Sequence, residues 1–131
     1  MKLSAVTGDR VFDVIADIIE PIATIAQDED AIKLFAPDDK PDGMTAWEYF
    51  VERAKKSIPV LMKKYKKEIS EIMAALNGVT VEQYIDGVPN PRHEEDPENE
   101  PEYDVPPLTI PKLFADVLDL VTDSEFVSFF S

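Results

Sequence analysis

The chain has 131 residues, 44% of them hydrophobic, a formal net charge of −14 and no cysteine. Its size suits one domain, and it is too apolar for a disordered chain yet has no run of about 18 apolar residues for a transmembrane helix. The charge argues against general nucleic-acid binding, which draws on Lys and Arg, and against anionic membrane surfaces, while the missing cysteines exclude disulfides and thiolate metal sites.

The opening residues MKLSAVTGDR carry no apolar stretch of the kind found in secretory signals, so a reducing cytoplasm is the expected location. Charge is unevenly placed. Residues 1–45 hold four basic and ten acidic side chains, 46–87 hold seven and six, and 88–131 hold two and eleven. Acidic ends thus flank a middle with a basic cluster. Solubility accounts for such a pattern, and so does head-to-tail orientation of subunits or partners.

A first helix is expected from near Asp9, a good N-cap after Thr7-Gly8. Val11, Phe12, Val14, Ile15, Ile18, Ile19 and Ile22 leave only a polar strip of Asp13, Asp17 and Glu20. A helix so broadly apolar should be covered on more than one side. Pro21 should break or kink it, or start a new turn. Residues 28–35 read as a short helix with an acidic first turn, and 36–43 as a loop.

Thr45 to Glu48 forms a capping-box pattern opening a helix with Trp47, Phe50, Val51 and Ala54 inward. Pro59 should interrupt or bend it. The clearest helix follows, with Ile58, Leu61, Met62, Tyr65, Ile69, Ile72, Met73 and Leu76 at helical spacing. Asn77-Gly78 is its stop signal. Thr80 to Gln83 is another capping box.

Residues 88–107 hold six prolines and seven acids in twenty positions. They are expected to form a mobile, acidic, Pro-rich loop. Helix resumes at Thr109-Ile110-Pro111, with Leu113, Phe114, Val117, Leu118 and Val121 inward. Thr122 to Glu125 reads as a capping box for a last helix. The expected fold is all-α: a compact bundle of about six helices in one domain, residues 1–131, with the 88–107 loop inside it and no strand.

No catalytic, cofactor-binding or metal site is expected. His93, the only histidine, lies beside Glu94, Glu95 and Asp96, but without a scaffold a solvated loop is the better reading. Nucleophile-elbow, zincin, phosphate-loop and dinucleotide motifs are absent, so the chain is not read as an enzyme. The run Lys63–Lys67 is read as a solvated helix face, or else as a dock for an acidic segment of a neighbouring subunit. Phe126, Val127, Phe129 and Phe130 are costly to leave in water, at about 1.5–3 kcal/mol each. Either they fold back into the core or they contact a partner, and they are the candidate partner-binding residues.

Three features carry a family resemblance: the opening MKLSAVTGDRVFDVIADIIEPIATIAQDED, the central amphipathic helix, and the ending TIPKLFADVLDLVTDSEFVSFFS. In them the chain resembles the tail assembly chaperones of long-tailed bacteriophages and prophages of Gram-positive bacteria. The resemblance implies a helical, self-associating protein of the bacterial host cytoplasm, absent from the mature virion. It would bind the tape-measure protein and keep it soluble while the tail tube polymerises. An acidic DNA-mimic inhibitor and a helical adaptor for an unknown partner are the alternatives.

Overall fold

The structure is a computed structural model that describes residues 3–36 and 39–130. These are mostly helical, as the apolar periodicity requires. Among them are eight α-helices, more and shorter than the about six expected, and one short antiparallel ribbon. The helices are α1 (Arg10–Ala26), α2 (Glu29–Phe35), α3 (Ala46–Lys64), α4 (Lys66–Asn77), α5 (Val81–Asp86), α6 (Arg92–Glu95), α7 (Ile110–Val121) and α8 (Ser124–Val127).

The core forms where α1 lies along α4. One edge of α1 buries Val14, Ile18, Ile22 and Ile25, and α4 buries Ile72, Met73 and Leu76. Leu34 of α2, Leu61 of α3, Tyr84 of α5, Leu120 of α7 and Phe126 of α8 close the same cluster.

Two prolines lie inside helices. Pro21 sits in α1 and Pro59 in α3, so of the two outcomes expected at Pro59 the helix is not interrupted there. Each proline strips the carbonyl four residues back of its helical donor. Those carbonyls belong to Asp17 and Lys55, both surface residues that water can serve. The actual break comes at Tyr65, whose φ of −119° and ψ of 35° part α3 from α4. The expected central helix is therefore split.

A buried acid marks that break. Asp28 caps α2 by accepting from the Asp30 amide at 2.8 Å. It also pairs with Lys64 at 2.5 Å and accepts from the Tyr65 hydroxyl at 2.6 Å. The two donors hold its carboxyl at about 2 against the opposing effect of burial.

Within residues 88–107, expected as a mobile loop, residues 88–105 form a hairpin. β1 (Val88–Pro89) pairs antiparallel with β2 (Tyr103–Val105), and α6 lies between them. The buried Asn90 side chain donates to the Pro101 carbonyl at 2.8 Å and to Glu100 at 3.2 Å, and accepts from the Arg92 amide at 3.0 Å. Arg92 spans to Glu100 and Asp104 at 3.3 and 2.8 Å. Polar ties thus hold a segment that has no apolar core of its own. At its root Gly87 has φ +79°, and a Cβ there would meet the Val105 carbonyl oxygen at 2.5 Å. The hairpin closes that tightly only on glycine.

The last helix is capped by Asp123, not Thr122. Asp123 accepts from the Glu125 amide at 2.9 Å and from the Leu3 amide at 2.8 Å, so it also ties the N-terminal segment. Thr122 instead donates back to the Leu118 carbonyl at 2.7 Å.

The Asp28 cluster predicts a pH response. Its folded carboxyl titrates below the unfolded value of about 4, so its contribution is complete above that pH and is lost as pH falls towards about 2. Asp28→Asn should lower the urea midpoint at pH 7, and its deficit relative to wild type should shrink between pH 4 and pH 2. A deficit independent of pH would show that the carboxylate charge contributes nothing.

Candidate partner-binding surface

α1 is apolar over far more of its circumference than the core uses. At 100° per residue the buried positions occupy one sector, and Phe12, Ile15, Ala16, Ile19 and Ala23 occupy the next. Three of these are large and exposed: Phe12 at 78%, Ile15 at 51% and Ile19 at 58%. On the far side of this sector stand Asp13, Asp17 and Glu20, all in solvent. The expectation that α1 is covered on more than one side is not met within this chain.

The other border of the sector is built by the C-terminus. Phe126 is buried and meets the Phe35 ring edge-on, with centroids 5.5 Å apart. Phe130, half-buried, stacks on Phe35 at 4.5 Å. Val127 is half-buried. Phe129 points the other way and stays 51% exposed. The four candidate residues are thus not one face: Phe126 and Phe130 pin the terminus to the core, and this anchoring places Phe129 beside α1.

Phe129 divides a groove into two concavities. One, of about 490 Å³, is lined by Leu3, Val6, Val11, Ile15, Ile18 and Phe129 among others. The other, of about 370 Å³, is lined by Ile15, Ile19, Ile22, Ala23, Ala26 and Phe129. The lining of the second is wholly apolar, and both are open. By contrast the void inside the core is only about 50 Å³, far below the roughly 300–1,000 Å³ of a small-molecule site.

α7 carries a second unpartnered stripe. Its buried side is Leu113, Val117, Leu120 and Val121, while Ile110, Phe114 and Leu118 are exposed at 86%, 69% and 38%. Phe114 and Leu118, expected inward, face out. The reason is a polar competitor for the core side. Asp116 is buried, accepting from the Tyr84 hydroxyl at 2.6 Å and paired with Lys112 at 2.9 Å. Burial works to raise the Asp116 carboxyl, and these donors outweigh it and hold it low. Burial and the same contact raise the Tyr84 hydroxyl. The Asp116 contact fixes the rotation of α7. Trp47, also expected inward, is 59% exposed and stacks on Phe50 at 5.6 Å.

Among the described residues no three His, Cys, Asp or Glu side chains are placed to share a metal ion. His93 Nδ1 lies 2.8 Å from the Glu100 carbonyl oxygen, inside the hairpin. Nor is any described helix long and apolar enough to cross a membrane. Compared with protein families, characterised proteins and solved structures, the chain matches none.

The split among the C-terminal aromatics is directly measurable. Phe126→Ala should cost about 3–5 kcal/mol of unfolding free energy, whereas Phe129→Ala should stay within about 0.5 kcal/mol of wild type. Equal losses in chemical denaturation would mean that Phe129 is also core.

Proposed function

We propose that this protein is a helix-binding chaperone of the phage tail assembly type, taking up amphipathic helices of the tape-measure protein in the host cytoplasm and keeping that partner soluble. The observation that carries the reading is the exposed α1 sector of Phe12, Ile15 and Ile19, extended by Phe129 into a groove. An exposed apolar strip along a helix, at i, i+3 and i+7, is the geometry that receives a partner helix. It also matches the helical character that the family resemblance implies.

The acidic border gives the groove a preference. Asp13, Asp17 and Glu20 run along one side of the apolar strip, which suits a helix whose apolar stripe is edged by Lys or Arg. Apolar contact supplies the affinity and charge sets the orientation. Binding of this kind should persist at about 0.5 M salt, where exposed charges more than a few ångströms apart are screened. Mimicry of DNA, which works through charge, should fail there.

The test is the double change Phe12→Ser with Ile19→Ser. Both side chains are exposed, so the variant should keep its helix content and its stability to within about 1 kcal/mol. Co-expressed with helical fragments of a tape-measure protein, it should leave them in the insoluble fraction, where wild type holds them in solution. A folded variant that solubilises the fragments as well as wild type does would refute the reading.

A further inference from the structure

The C-terminus holds one aromatic ring out of the core between two that are pinned to it. Ser128–Phe130 form a single 3-10 turn, in which consecutive side chains point apart. Phe130 stacks on Phe35 at 4.5 Å and meets the Phe126 ring at 5.3 Å. The turn is closed by the Ser128 hydroxyl, which donates to the Glu125 carbonyl at 2.6 Å, and by the Val127 amide, which donates to the Asp123 carbonyl at 3.0 Å. The backbone of Phe129 is thereby held on both sides. Its ring, 51% exposed, stands between the two concavities beside α1.

The two concavities follow one another along the axis of α1. The first is lined from α1 between Val11 and Ile18, the second between Ile15 and Ala26. Their midpoints are about six residues apart, or about 9 Å at 1.5 Å per residue. A partner helix laid along α1 presents side chains on one face at i, i+3 or i+4, and i+7. A step of one turn, about 5–6 Å, is too short to fill both concavities, whereas a step of two turns, about 10 Å, matches their spacing. The residue one turn along then falls over the Phe129 ring, where only a small side chain leaves room. From this spacing we infer that Phe129 determines specificity, admitting helices with large apolar side chains at i and i+7 and Ala, Gly or Ser between them. Such a helix carries Lys or Arg along the edge that faces Asp13, Asp17 and Glu20, all of them exposed.

The inference rests on the reading of the α1 groove as a helix acceptor and adds a rule for which helices it accepts. Capture by apolar area alone and division by the ring give opposite signs. If area alone decides, replacing a spacer alanine of the partner by leucine adds apolar contact and tightens binding. If the ring divides the groove, the same leucine meets a held aromatic side chain and binding weakens, which is selection by clash.

Three synthetic helical peptides of equal length, each with lysines along one edge, make the measurement. The first has Leu at i and i+7 with Ala at i+3 and i+4, the second adds Leu at i+4, and the third has Leu at i and i+4 only. The first should bind wild type at least about tenfold more tightly than either of the others. Phe129→Ala should bind the second peptide to within about threefold of the first, or more tightly. Phe129→Leu, a milder change, should move that ratio in the same direction by less. Circular dichroism checks that the peptides are equally helical and that each variant is folded. A second or third peptide bound by wild type as tightly as the first, or unchanged selectivity in the folded variants, would overturn the role of Phe129 and leave helix capture standing. Binding of none of the three would overturn both.

Discussion

The fold turns on a mismatch in α1: its apolar arc is wider than the surface this chain has available to cover it. Val14, Ile18, Ile22 and Ile25 meet α4 and complete the core. The next sector around the same helix, Phe12, Ile15 and Ile19, is left largely in water, flanked by Phe129. At about 25 cal/mol per Å² of apolar surface, leaving large side chains wet is a standing cost. No packing of α4 could remove it, because one flat neighbour covers only one stripe of a helix. The proposed capture of a partner helix rests on that surplus.

Buried acids do the positioning work that apolar contacts leave undone. Asp28, Asp116 and Asp123 are nearly inaccessible, and each takes two or more donors, as a polar group removed from water must. Asp28 joins the start of α2 to the α3–α4 break. Asp116 fixes α7 against α5 through Tyr84. Asp123 ties the segment at Leu3 to the start of α8. Apolar contacts are tolerant of small rotations, whereas these bonds are directional. They decide which stripe of α7 faces in, and they hold α8 where Phe129 can flank α1.

Sequence legibility follows the same division. Helix starts with Thr at the cap were readable because the bond is local: Thr45, Thr80 and Thr109 each accept from the amide three residues on. The apolar period also located the α1–α4 core. What could not be read were choices made by distant partners. Thr122 and Asp123 are adjacent and both able to cap, and the long-range bond from Leu3 goes to Asp123. Phe114 and Leu118 look as apolar as Val117 and Leu120, and only the Asp116–Tyr84 bond separates them. The hairpin was hidden because proline and acid counts describe average solvation, whereas Asn90 and Arg92 close it through a few specific contacts. At the candidate site the four C-terminal residues were visible as surplus apolar surface. The division of the three aromatic ones into two anchors and one exposed ring depends on Phe35, ninety residues away or more in the chain.

Charge completes what the apolar surplus begins. A molecule with an open groove would be expected to pair groove to groove with its own copies. Two α1 faces brought together would also bring together two rows of Asp13, Asp17 and Glu20, and like charges in register oppose that contact. The net charge of −14 adds a longer-range repulsion between copies. On the proposed reading the acids make this apolar surface selective, because only a helix bringing positive charge along its edge gains both contributions. The acids do not create the exposed apolar face. They determine which surfaces can reach it.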